Sequence, residues 1–354
     1  MGSKYRTINN SEDMTALDRV FATISGEIPD RVPVFPLTTS ISAELLNIDL
    51  PSLYQKGEFI FNGQVKFQKL IGHDFVTSFF YLVKDAEPWG AEPIFYVDGD
   101  PNLKSIPFTQ LDDILNIEIP DVNSAKAYEE PKKTIKLFTK SEIKGKVPII
   151  GVLTGPFSLP VFFFTLSKWL ESLLIEPQKF QKVIEKIIPY VIDWANIQIE
   201  LGVDMIFMVD GVVSTTVLPK DIFSKYVIPI YNKLTSNIKA PIILGSAGGE
   251  VQGIISEIIR SGVSATTLSS NDDLTICKKL ANEKLVLMGN LNNIEFGDWS
   301  PNTVKKEVKK AIDAGTNKLT KSMYILMNQH NFPKSVTLSQ IGLMVKFGKK
   351  FGKY

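Results

Sequence analysis

The chain of 354 residues contains a single cysteine, Cys277. One thiol cannot build an intramolecular disulfide framework or a multi-cysteine metal site. Its place in DLTICKKL, spaced from Leu274 and Leu280 as on one helix face, suits a buried structural thiol. Arginine is scarce as well: of 39 basic residues only Arg6, Arg19, Arg31 and Arg260 are arginines. The lysines are scattered over segments of helical pattern, as on solvated faces. With a net charge of +1, no nucleic-acid surface is expected, and bidentate arginine capture of a polyanion is disfavoured. No apolar run reaches the ~20 residues needed to span a bilayer. The opening MGSKYRTINNSED is polar and lacks a signal-peptide core, so no membrane partner and a cytoplasmic location are expected. Phosphate loops of the GxxxxGK[ST] and GxGxxG types are missing.

What the sequence does contain is eight short apolar runs in order. They are VPVFP (32–36), DFVTSFF (74–80), VPIIGVLTG (147–155), DMIFMVDG (204–211), PIILGSAGG (241–249), ATTLSSN (265–271), KLVLMGN (284–290) and MYILMNQH (323–330). Runs of this length, rich in Val and Ile and separated by helical pattern, are what a parallel sheet buried on both faces requires. Eight of them predict an α/β fold, a closed (β/α)8 TIM barrel forming a single domain over 1–354. An N-terminal helix is expected over 14–24, capped by Asn10 or Ser11. Further helices are expected over 123–141, 156–174, 176–201, 220–234, 250–261, 273–281, 302–314 and 337–351. The piece WGAEPIFYVDGDPNLKSI, after the second run, reads as a hairpin excursion turning near Asp98-Gly99-Asp100-Pro101 and capping one side of the barrel mouth.

In a (β/α)8 barrel the active site is built from the C-terminal ends of the strands. The residues that end the runs are therefore the candidates: Thr38, Ser78, Thr154, Asp210, Ser246, Ser270, Asn290, Asn328, Gln329 and His330. His330 follows the eighth run, where an imidazole can serve as general acid or base or as a metal ligand. His73 precedes the second run, at the opposite end, and reads as structural. Asp210 ends an apolar run, and a buried carboxylate costs stability unless paired, which favours a functional role. Asn290, Asn328 and Gln329 offer amides suited to positioning and not to proton transfer. The GSAGG turn, with Ser246 and Gly248, is open to two readings: its N–H groups hold an anion beside a helix start, or its glycines only make a tight turn.

Several segments together carry a resemblance: TALDRVFATISGEIPDRVPV, VKDAEPWGAE, TGPFSL, LPKDIFSKYVIPIYNKL, MGNLN and NFPKSVTLSQIGLMVKFGKKFGKY. They are similar to the uroporphyrinogen decarboxylase superfamily, most of all to its cobalamin-dependent methyltransferases of methanogens and acetogens. The resemblance implies a (β/α)8 barrel that moves a methyl group between a small organic donor or acceptor and the cobalt of a partner corrinoid protein. A homodimer is among the assemblies to be considered. Zinc-dependent members carry H-x-C-G after the fifth strand and a further Cys after the eighth; here those positions hold Gly245-Ser246-Ala247-Gly248 and His330. One imidazole cannot replace three protein ligands, so no bound zinc is expected. Uroporphyrinogen decarboxylases carry an RQAGR segment after the first strand, where this chain reads PLTTSISAEL without arginine. Decarboxylation of a carboxylated substrate is therefore the runner-up. Within the favoured reading His330 is the acid or base and Asp210, Asn290, Asn328 and Gln329 orient substrate. Ser246, Gly248, Thr154, Ser270 and Thr38 complete the binding surface.

Overall fold

A computed structural model describes residues 13–78, 81–316 and 323–354. The expected caps Asn10 and Ser11, and the last two residues of the second run, lie outside the described residues. All eight apolar runs contribute a strand: β1 (Val34–Phe35), β2 (Val76–Thr77), then, after a hairpin of β3 (Glu92–Ile94) and β4 (Asn102–Ser105), β5 (Ile149–Thr154), β6 (Met205–Val209), β7 (Ile242–Gly245), β8 (Ala265–Thr267), β9 (Val286–Leu291) and β10 (Tyr324–Asn328). The eight long-range strands pair in parallel in the order β1-β10-β9-β8-β7-β6-β5-β2. Between the two ends of that order, Asp74 N–H donates to the Val34 carbonyl at 3.0 Å. The curled sheet is thus the TIM-barrel-like fold that the eight runs predict, and β3–β4 is the antiparallel excursion expected after β2.

Alternate residues of each strand serve different cores. Met205, Phe207 and Val209 pack inside the barrel with Phe35, Ile150, Ile243, Met288 and Met327. Ile206 and Met208 face outward into the layer shared with the helices. The lumen is therefore filled by side chains, leaving chemistry to the C-terminal rim.

The first helix, Ala16–Ile24, is capped by Thr15, whose hydroxyl accepts from Asp18 N–H at 3.1 Å. Between β1 and β2 the chain forms three helices that the sequence reading did not pick out: Ser40–Leu46, Leu50–Gln55 and Gly57–Ile71. The second of these has a legible start, since Asp49 caps Ser52 N–H at 2.7 Å and Pro51 lies in its first turn. The apolar stretch expected as one helix over 156–174 is two, Val161–Phe164 and Leu166–Ile175, broken at Thr165 with φ 101°. The helix expected over 250–261 is confined to Ile255–Arg260, behind a 3₁₀ turn. Among the described residues no helix is long and apolar enough to cross a membrane.

The N-terminal end of the barrel is fastened by buried charge. Arg31 makes a forked contact with Asp74, Nη1 to Oδ2 at 2.7 Å and Nη2 to Oδ1 at 2.8 Å. Arg19 adds Nη1 to Asp74 Oδ1 at 2.7 Å while its Nε reaches Asp30 at 2.6 Å. Val34 N–H also donates to Asp74 Oδ2, at 2.7 Å. Burial by itself would raise the Asp74 carboxyl, but Arg31, Arg19 and the Val34 N–H outweigh it and hold the group below its ordinary range. Next to it His73 is buried against Phe67, ring centroids 4.5 Å apart, and burial lowers its pKa to about 3. Removing the shared carboxylate leaves two buried guanidiniums short of a counter-charge, which costs about 3–5 kcal/mol. Asp74→Ala is accordingly expected to lower the unfolding free energy measured by urea titration by an amount in that range; a loss under about 1 kcal/mol would contradict this account.

Candidate active site at the barrel mouth

Residue parity decides which strand-end groups reach the mouth. Asp210 follows Val209, and the alternation of β6 turns it outward, away from the lumen. Its Oδ2 accepts from Phe157 N–H at 3.2 Å and from the Tyr231 hydroxyl at 2.8 Å, while Oδ1, fully buried, has no hydrogen-bond partner among the described residues. A Cβ at Gly155 would stand 2.3 Å from that Oδ2, so only glycine lets the loop after β5 close over the carboxylate. Asp210 thus joins the loop after β5 to the helix Ile228–Asn237 and is not brought to the mouth. Asn328 is similar. Its Oδ1 accepts from Leu37 N–H at 2.8 Å and its Nδ2 donates to the Leu37 carbonyl at 2.9 Å, stapling the exit of β1 to that of β10. The same Nδ2 donates to the His330 carbonyl at 2.5 Å and so fixes the backbone that carries the imidazole.

His330 lines a cavity of about 270 Å³ whose other walls include the hairpin turn Asp98-Gly99-Asp100, Asn293 and Asn331. Burial depresses the His330 pKa below the ordinary imidazole range, with Asp100 acting in the opposite sense, which favours the neutral imidazole. Ser270 and Asn290 line a second, more polar cleft of about 730 Å³ that runs toward the helix Pro301–Gly315. Gln329 stands between the two. Its Oε1 accepts from Ser270 N–H at 2.7 Å and its Nε2 donates to Asn293 Oδ1 at 2.8 Å. Asn290 spends its amide nitrogen on the Ser269 and Asp272 carbonyls, at 2.8 and 2.9 Å.

The GSAGG turn lies beside His330. A Cβ built at Gly248, φ +84°, would be 3.9 Å from the His330 Cβ. Ser246 is buried and donates its N–H to the Thr267 hydroxyl at 2.9 Å. Beyond the turn, the N–H groups of Val251 and Gln252 donate to Asp272, at 3.2 and 3.0 Å. A carboxylate of the chain itself therefore occupies those two amides. At Gly245 a Cβ would meet Phe207 Cε1 at 2.5 Å, so the phenyl ring fills the space into which a side chain there would project. The residues at positions 245, 247 and 330 do not fit a zinc ion: they supply one imidazole, and one of the three places is blocked.

On the opposite side of the rim, Thr154 is buried, donating its N–H to Asp85 Oδ2 at 2.6 Å and its hydroxyl to the Leu82 carbonyl at 3.2 Å. Asp85 also pairs with the buried Lys84, Nζ to Oδ1 at 3.0 Å, and accepts from the Tyr128 hydroxyl at 3.2 Å. Thr38 is buried, its carbonyl receiving Gln64 Nε2 at 3.3 Å. Ser78 is buried as well, its N–H on the Ile150 carbonyl at 2.8 Å. The structure thus brings His330, Gln329, Ser270, Asn290 and the 246–248 turn together, and leaves Asp210, Asn328, Thr154, Thr38 and Ser78 as supports. Sequence reasoning passed over Asp98, Asp100 and Asn331, although the first two stood in its hairpin turn.

With that geometry in place, the relatives are informative. The uroporphyrinogen decarboxylase (URO-D) family model matches residues 15–351. A uroporphyrinogen decarboxylase from Chlorobium phaeobacteroides is 25% identical, over 67% of this chain and 69% of its own length. A methylcobamide:CoM methyltransferase from Methanosarcina mazei is 24% identical, over 87% of this chain and 92% of its own. A solved structure of a methyltransferase from Methanosarcina mazei superposes with a TM-score of 0.85 at 19% identity, covering 96% of this chain and 99% of that one. The family match runs from just before the first helix to the end of the last and takes in every barrel strand, so the chain belongs to the uroporphyrinogen decarboxylase family.

Proposed function

We propose that this chain is a methyltransferase that moves a methyl group between a small organic molecule and the cobalt of a partner corrinoid protein, without a zinc site of its own. The observation that carries the reading is the similarity to a methylcobamide:CoM methyltransferase over nearly the whole of both chains. Two features of the mouth favour it over decarboxylation of a polycarboxylate. The cavity at His330, about 270 Å³, suits a small molecule better than a tetrapyrrole. The three arginines among the described residues are also elsewhere: Arg19 and Arg31 are buried around Asp74, and Arg260 closes a helix ahead of β8.

In the transfer, the bond between the methyl carbon and its heteroatom would break with the electron pair left on the heteroatom, while the reduced, Co(I) corrinoid of the partner would supply the pair for the new carbon–cobalt bond; the reverse direction exchanges these roles. His330 takes a proton from the accepting heteroatom, or returns one to the leaving heteroatom, and the neutral state that burial favours suits the first task. Gln329 and the Ser246–Gly248 turn form the polar surround next to His330 that orients substrate, and Ser270 and Asn290, in the adjoining cleft, hold Gln329 and the exits of β8 and β9 in place. Alignment of donor, carbon and acceptor supplies much of the rate. Asn328 sets the His330 backbone. Thr154 and Thr38 hold the rim, and Asp210 acts at one remove by fixing the loop after β5.

Purified protein is expected to change the visible spectrum of methylcobalamin when a suitable methyl acceptor is supplied. His330→Ala should slow that change roughly 10²–10⁴-fold. An unchanged spectrum with every acceptor, together with carbon dioxide release from a carboxylated substrate, would favour the decarboxylase reading. Protein prepared without added metal should carry well under one zinc per chain by elemental analysis. Stoichiometric zinc that disappears in His330→Ala would sink the metal-free assignment.

Asp210 gives a prediction with a sign. Burial raises its pKa to about 6, against the opposing hydrogen bonds from Ser158, Tyr231 and Phe157. The native state therefore binds more protons than the unfolded chain between about pH 4 and 6, and this group's contribution falls as pH rises through that window. Asp210→Asn cannot ionise. Relative to wild type it should gain about 2–3 kcal/mol in urea unfolding between pH 4 and 7, and a pH-independent difference would refute the assignment.

A further inference from the structure

We infer that Tyr54, buried beneath the rim, is a positioning residue for His330: through Thr39, Asn331 and Asp100 its hydroxyl fixes both the segment that carries the imidazole and the hairpin turn that faces it. The inference rests on the proposed role of His330. Four side chains from four parts of the chain close a circuit of hydrogen bonds. Tyr54 comes from the helix Leu50–Gln55, Thr39 from the exit of β1, Asn331 from the position after His330, and Asp100 from the hairpin turn. The Tyr54 hydroxyl donates to Asp100 Oδ1, and Asn331 Nδ2 donates to Asp100 Oδ2 at 2.7 Å. Tyr54 Oη and Thr39 Oγ1 lie 2.6 Å apart. A phenol has one proton, and Tyr54 gives its own to Asp100, so the Thr39 hydroxyl is the donor to Tyr54. Thr39 Oγ1 in turn accepts from Asn331 Nδ2 at 3.3 Å, and Asn331 Oδ1 accepts from Thr39 N–H at 3.2 Å. The circuit is polarised toward the carboxylate. Burial, and then Asp100 beside it, raise the Tyr54 pKa well above the ordinary phenol range, so the hydroxyl stays a donor.

The circuit reaches His330 from two sides. Behind the imidazole the backbone is pinned, the His330 carbonyl by Asn328 Nδ2 at 2.5 Å and the Asn331 carbonyl by Asn293 Nδ2 at 2.8 Å. The circuit adds the Asn331 side chain to this, holding it against the exit of β1. In front of the imidazole, the turn that lines the cavity belongs to a two-stranded sheet of its own. A lone hairpin is marginal in water, so its placement depends on what it rests on. Tyr54 supports it twice. Its hydroxyl holds Asp100, and its ring packs edge-on against Tyr81, centroids 6.2 Å apart, which packs against Phe95 next to β3 at 5.7 Å.

The chain has two histidines, so imidazole NMR of the full chain with isotope-labelled histidine follows His330 directly. His73, at the far end of the barrel, is the internal control. Tyr54→Phe keeps the aromatic ring and removes the hydroxyl. It should displace the His330 signals, leave those of His73 in place, and lower kcat for methyl transfer about tenfold with KM little changed. Thr39→Val removes the middle hydroxyl of the circuit and should do the same, which carries the test if Tyr54→Phe does not fold. In an Asn331→Ala background Tyr54→Phe should add little further displacement, because both act through one circuit.

His330 signals unmoved in both variants, His330 and His73 signals moving together as in a general loosening, full additivity with Asn331→Ala, or displaced signals with an unchanged kcat would each overturn the inference. A wild-type protein without methyl transfer would remove the proposed function instead. The imidazole signals and their additivity then decide the inference alone.

Discussion

Asp74 is the carboxylate on which the barrel closes. It stands between β1 and β2, the two strands at the ends of the pairing order, where the ladder is thinnest. There its side chain takes the Val34 N–H and its own N–H meets the Val34 carbonyl. Arg31 and Arg19 crowd the same carboxylate, and Arg19, on the first helix, also draws in Asp30. The position of β1 against the start of β2 rests on this buried cluster. At the other end of the barrel Asn328 aligns the β1 and β10 exits. A chain with few arginines thus commits two of them to its N-terminal end.

From that closure the mouth follows by parity. A strand end either points into the lumen or into the helix layer, and the difference separates groups that can meet substrate from groups that hold walls together. Gln329 links the β8 and β9 exits and divides one cavity from the other. Asp210, one residue beyond an inward Val209, is sealed beneath Gly155 and Tyr231. The hairpin then brings in charge from outside the barrel altogether, through Asp98 and Asp100.

The fold was legible because strands buried on both faces stand out as uninterrupted apolar runs, and all eight did so. The same property hid the orientation of their last residues. In MIFMV every position is apolar, so no alternation marks which side chains face the lumen, and Asp210 could not be assigned a direction. The helices between β1 and β2 went unread, although Asp49 and Pro51 mark the start of one. Asp98 and Asp100 were legible only as turn formers, since nothing local shows that the turn comes to rest over the residue after β10. His330 was the exception: its position after the final run was enough to place it on the rim.

The closeness of Phe207 to Gly245 couples two positions on neighbouring strands. Any side chain introduced at position 245 would meet the phenyl ring, so the ring would have to move or shrink with it, and shrinking the ring alone opens a void in the barrel interior. Each first step is penalised before the second can help. Substitutions at the two positions are therefore expected to be non-additive, tolerated together where each alone is costly.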